Sequence, residues 1–230
     1  MNIENKEDTS HRTAALTAAI GLLMMIAAAI FADSLRTGLI VEGDIKETLG
    51  NIANQTTKFR LSILGYVVVI LLDILVAWAL YLYFKQINKS ISLLAGLFRV
   101  IYATLFFVAV FNLIGVLKLL ENRNILDENQ IQAQTMLALQ SFTNQWNFSF
   151  VFFGIHLGLL GWLALKTKQM HNIFGILLLA AGLGYTCDGL GKTLMPNYSV
   201  SLIMFTFIGE VLLMVWLFFK GVKIQPTTKR

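Results

Sequence analysis

Charge is scarce in this chain. Asp, Glu, Lys and Arg make up 13% of its 230 residues, where an ordinary soluble domain carries about a quarter. A soluble fold of this size could not cover a 57% hydrophobic composition with so few charges. A bilayer removes the difficulty, because lipid accepts apolar surface on every side of the chain. Cysteine is nearly absent. Cys187 stands alone, which excludes an internal disulfide and a cysteine metal cluster. Proline is equally rare. Pro196 and Pro226 both fall outside the apolar runs, where a helix tolerates them. No phosphate-binding glycine loop, nucleophile elbow, HExxH zinc motif or CxxC pair occurs. Low-complexity stretches and clear internal repeats are missing too, so an inverted-repeat transporter gains no support.

Acid is the scarcer sign of charge. The net charge is +5 and the sequence pI is about 9.4. The basic residues are scattered over loops and tails, which points to anionic lipid headgroups and not to nucleic acid.

What is abundant is apolar sequence in long runs, with a mean hydropathy of +0.69. Six runs stand out, at residues 14–32, 61–84, 91–117, 148–165, 173–194 and 200–219. Their lengths suit the hydrocarbon core of a bilayer. They are apolar all round instead of striped, and backbone groups in hydrocarbon must be satisfied internally. The expectation is an all-α integral membrane bundle of six transmembrane helices. It would occupy 14–221 between two cytoplasmic tails, 1–13 and 222–230. The first run is longer than a signal-peptide core and follows Glu4, Glu7 and Asp8 as well as Lys6 and Arg12, so a retained helix is expected.

With the N-terminus inside, ten basic residues fall on inner segments and seven on outer ones. The inner loops are also short. This predicts a cell-membrane protein with both termini cytoplasmic. Trp78, Trp146, Trp162 and Trp216 lie towards span ends, as aromatic belts at the two interfaces would place them. Two outer segments, 44–58 and 127–146, carry apolar residues at helical spacing. Each reads as an amphipathic helix on the outer face or capping the bundle, or else as a solvated loop.

The apolar runs contain ionisable residues, and these carry the information. A charge at the membrane centre costs roughly 2.5–3.5 kcal/mol on insertion scales. At about 1.5 Å per residue, Asp73 sits about 16 Å from the inner end of its helix, Arg99 about 12 Å, and His156 and Glu210 about 14 Å. Four helices thus place ionisable groups in one layer. Asp73 or Glu210 is expected to neutralise Arg99, leaving the other acid to share a proton with His156. A structural network and a proton or substrate path are both open readings of this layer. A metal site of Asp73, His156 and Glu210 has no spacing motif behind it, so no metal or cofactor is expected.

Asp188 lies about 22 Å out on the same scale. Tyr185 and Lys192 share its helix face, as an interfacial salt bridge or the mouth of a polar cavity. Gly154 and Gly158 flank His156, and Gly182, Gly184, Gly189 and Gly191 crowd the fifth run. Small residues of this kind let helix backbones approach.

Leu97-Phe98-Arg99, Phe153-Gly154-Ile155-His156-Leu157, Ala181-Gly182-Leu183-Gly184-Tyr185 with Asp188, and Gly209-Glu210 followed by Leu213-Met214-Val215-Trp216-Leu217 and Lys220-Gly221-Val222 occur in this order. In these motifs the chain resembles the bacterial multi-pass membrane family catalogued as domain of unknown function 4386, from the first run to the last. The resemblance implies a bacterial multi-pass membrane protein and carries no reaction, ligand or catalytic residue with it.

Three functions fit the sequence. The first is a transporter-like or sensor module binding a proton, ion or small solute at the polar layer. The second is an intramembrane enzyme acting on a lipid, which needs a nucleophile or metal beside His156, and the candidate nucleophile Ser149 lies about two helical turns outward of it. The third is a structural or partner-binding protein using its outer amphipathic segments. No catalytic motif favours the enzyme, and the expected partner in every case is the lipid bilayer.

Overall fold

The computed structural model describes residues 11–124 and 126–223. The outermost parts of both tails lie outside that range. All regular structure among the described residues is helical. The elements are α1 (His11–Thr37), α2 (Ile45–Asn54), α3 (Thr56–Phe84), α4 (Lys89–Glu121), α5 (Glu128–Lys166), α6 (Asn172–Leu194), α7 (Ile203–Thr206) and α8 (Ile208–Lys223). Side chains set several of the starts. Asp44, Asn88 and Asp127 accept from the backbone N–H of Glu47, Ile91 and Gln130 at 2.8, 3.0 and 2.9 Å. Each supplies an acceptor to a helix end that lacks one.

Five helices, α1, α3, α4, α5 and α6, are long and apolar enough to cross a membrane, which is consistent with a membrane protein. The sixth apolar run departs from expectation. Residues 200–219 do not form one helix of spanning length but divide at Phe207 into α7 and α8. With 16 residues, α8 rises about 24 Å, short of the roughly 30 Å hydrocarbon core. A side-chain bond accompanies the division. Thr206 Oγ1 donates back to the Leu202 carbonyl at 3.0 Å, a bond of the kind that bends helices. Phe207 itself keeps helical dihedrals, φ −60° and ψ −17°, so the division is a kink and not a reversal.

The segments 44–58 and 127–146 are both largely helical. The first contains α2, which buries Thr48 and Ile52 against α3 and α5. The second is no separate surface helix. It continues into the next span, making α5 a single helix of 39 residues and about 58 Å.

Contacts join α1 to α3, α3 to α4, α4 to α5, α5 to α6, α6 to α8, and α8 back to α1. Six helices therefore close a ring. The start of α1 and the end of α8 share one face of it, where Arg12 Nε donates to the Gly221 carbonyl at 3.3 Å. The tightest seam is between α5 and α6. A Cβ on Gly154 would lie 2.5 Å from the Gly182 carbonyl oxygen and 2.8 Å from the Thr186 nitrogen. Only backbone without a side chain fits there. Outward, the ring exposes Leu23, Phe31, Leu64, Leu71, Leu97 and Leu183, an apolar surface that suits lipid.

Candidate functional site

The short turn after α3 makes α3 and α4 antiparallel neighbours, and this brings Asp73 beside Arg99. Arg99 Nη2 lies 2.7 Å from Asp73 Oδ1, with the two side chains 1% and 0% exposed. The other guanidinium nitrogen, Nη1, lies 3.2 Å from His156 Nε2 on α5. His156 Nδ1 sits 2.8 Å from the Ala95 carbonyl oxygen. These distances assign the imidazole proton. Arginine has no acceptor, so Nε2 must accept from it, and Nδ1 carries the proton donated to Ala95. Arg99 also reaches Met25 Sδ at 3.5 Å and lies 5.2 Å above the Phe153 ring. Asp73 Oδ2 and Arg99 Nε remain buried without a hydrogen-bond partner among the described residues.

Three of the four layer residues are thus in direct contact, and Glu210 is not among them. The expected sharing of a proton between His156 and the spare acid does not occur, because a backbone carbonyl one turn before Arg99 takes that place. Both imidazole nitrogens are engaged. Ser149 is also committed, its Oγ donating to the Trp146 carbonyl at 2.6 Å, so no serine–histidine pair forms.

Glu210 stands in the first turn of α8, where the helix dipole favours a carboxylate. It is 9% exposed, and no hydrogen bond or ion pair to its side chain occurs among the described residues. Instead it borders a cavity of about 220 Å³ inside the ring, which Asp73 also lines. The rest of the wall is apolar and aromatic, from α1, α3, α4, α5, α6, α7 and α8. Tyr102, Phe153 and Tyr185 form a continuous surface, with ring centroids 4.7 and 5.1 Å apart. At one end, Tyr66 donates to Asp33 Oδ1 at 2.9 Å and accepts from Arg36 Nε at 3.0 Å. Sequence reasoning missed this wall, because aromatics in apolar runs look like ordinary packing. Trp146 is one of the four tryptophans expected in interfacial belts. It also stacks on Phe106 at 5.0 Å and lines the cavity.

A larger hollow, about 500 Å³, lies between the α1–α2 connection and the outer part of α5. Its acids Glu42 and Asp44 are exposed, so the buried chemistry belongs to the smaller cavity.

The outer cluster separates. Tyr185 turns inward to the cavity. Asp188 makes no ion pair with Lys192 among the described residues. It accepts from Tyr198 Oη at 2.7 Å, from the Leu202 N–H at 3.0 Å and from the Ile203 N–H at 2.9 Å. Asp188 therefore anchors the start of α7, across the chain reversal that contains Pro196. The bond pushes the Tyr198 hydroxyl up to about 12, because its ionisation would set an anion against the Asp188 carboxylate. Among the described residues, no group of three His, Cys, Asp or Glu side chains could hold a metal ion.

A protein from Archaeoglobus fulgidus, described as an uncharacterized protein, is 35% identical over 164 residues, 71% of this chain and 86% of that one. That relative is archaeal, so the bacterial origin implied by the resemblance is not established. No solved structure matches. Residues 17–221 match the family described as Domain of unknown function (DUF4386), and the chain belongs to that family.

Proposed function

We propose that this chain is a multi-pass membrane protein that binds a small solute, proton or ion in its central cavity, as a transporter-like or sensor module. One observation carries the reading: Glu210, buried and without a hydrogen-bond partner, lines a cavity of about 220 Å³ between the helices of the ring, open past Phe207 on one side. Burying a carboxylate without a hydrogen-bond partner is costly, and the α8 dipole offsets only part of that cost. The neighbouring Asp73–Arg99–His156 set is a rigid scaffold beside it. A lipid-directed enzyme would need a nucleophile and a base in reach of each other, and Ser149 and His156 are each committed elsewhere.

In this reading α7 and α8 together make a sixth crossing, kinked at Phe207. Support comes from the shared face of the α1 start and the α8 end, since ends on one face require an even number of crossings. The bias of basic residues then favours both termini in the cytoplasm of a cell-membrane protein.

Thiol accessibility tests the proposal. In a Cys187→Ser background, Ala29→Cys and Val211→Cys line the cavity, Leu183→Cys faces outward and Gly50→Cys lies on exposed α2. A small, water-soluble methanethiosulfonate should label the cavity cysteines and Gly50→Cys but not Leu183→Cys. Labelling at Gly50→Cys alone would remove the cavity from the account.

A further inference from the structure

We infer that the central cavity takes a small organic cation, a quaternary or alkylated ammonium, held by the Glu210 carboxylate against aromatic faces. The inference rests on the cavity being a solute site and adds the class of solute.

Charge is the first argument. Asp73 and Glu210 line the cavity, and no Lys, Arg or His is among the described lining residues. The nearest cation, Arg99, is bound at 2.7 Å to Asp73. Counting both acids as carboxylates, Asp73 and Arg99 cancel and Glu210 leaves one negative charge in excess. An anion would meet that excess charge. A neutral apolar solute would leave the buried carboxylate unpaired, which is costly.

Size and wall chemistry narrow the cation. A proton needs no room, yet the cavity measures about 220 Å³, several times the roughly 30 Å³ that one water takes up. A bare inorganic cation seeks a shell of oxygen ligands; calcium, for example, takes about six to eight. Here half of the described lining residues are aromatic, eight of sixteen. Rings from α4, α5 and α6 stand 4.7 to 5.4 Å apart around Tyr102, Phe153, Tyr185 and Phe150. Aromatic faces attract a cation that keeps an apolar surface, as in the cages that hold quaternary ammonium groups. Arg99, 5.2 Å above Phe153, shows the same preference within the protein. The volume lies below the roughly 300–1,000 Å³ of drug-sized pockets, so the occupant is a free ammonium of modest size or the ammonium end of a lipid headgroup.

The test is calorimetric titration of the full-length protein in a maltoside detergent. Benzyltrimethylammonium is the cationic probe, with benzyl alcohol, benzoate and sodium chloride as neutral, anionic and inorganic comparisons. A phosphocholine-headed amphiphile is the lipid arm. Saturable binding of benzyltrimethylammonium, at least tenfold tighter than benzyl alcohol, is the expected result, with benzoate inert. Glu210→Gln should weaken it tenfold or more. Displacement by the phosphocholine amphiphile would identify a headgroup as the source, and its absence a free solute. The comparison of probes on the wild-type protein needs no variant to fold. Equal binding of benzyl alcohol and the ammonium, or unchanged affinity in Glu210→Gln, would overturn the cation and leave a solute cavity. Binding of sodium alone would overturn it and leave an ion site. No binding by any probe, with unreactive cavity cysteines, would overturn both readings.

Discussion

At the scale of single residues, the balance between Asp73 and Arg99 governs the interior. Each charge is tolerated because the other is 2.7 Å away. Breaking a buried pair by removing one partner costs about 3–5 kcal/mol, while replacing both with apolar groups is often neutral. Asp73→Ala should therefore lower the thermal unfolding temperature in detergent sharply, and Asp73→Ala with Arg99→Met should recover most of the loss. Intrinsic fluorescence during a temperature ramp reads both. The four charged and polar residues of the layer were legible in the sequence, since acids and bases stand out in apolar runs, but Asp73 and Glu210 both stood open as the partner of Arg99. The role of His156 was not legible. Its partner is a backbone carbonyl, and every residue carries one. The partners of Asp188 were hidden for a related reason. They lie 10 to 15 residues further on, and only the chain reversal after α6 brings them back.

At the scale of elements, helix seams decide what the ring can enclose. Gly154 and Gly158 look equivalent in sequence, both in one small-residue pattern. Their surroundings differ. A Cβ on Gly154 would meet the α6 backbone, whereas a Cβ on Gly158 meets nothing within 4 Å. Gly154→Ala is expected to cost at least the roughly 1–3 kcal/mol of an overpacked core, and Gly158→Ala close to nothing. Comparing the two unfolding midpoints checks this with a built-in control. Hydropathy located all the long helices, because each of them contains an unbroken apolar run. It could not locate the division at Phe207, since residues 200–219 read as one apolar run. Nor could it show that residues 127–146 continue into α5 without a break.

At the scale of the whole molecule, six helices close a ring, and both of its free helix ends lie on one face. A cytoplasmic reporter protein and a periplasmic or exterior-active one, fused in turn to the C-terminus and to the outer connection near α2, should give opposite signals. The same signal from both would break the topology. The ring could not be read from the sequence, since which helices touch depends on side chains meeting across space. The cavity was hidden for the same reason, as aromatic residues from four helices build its wall. The most direct test of the central claim is a cryo-electron microscopy map of the protein in lipid nanodiscs. The account predicts solvent or solute density between the Glu210 carboxylate and the rings of Tyr102 and Tyr185. A collapsed, dry interior with Glu210 hydrogen-bonded to a protein donor would contradict it.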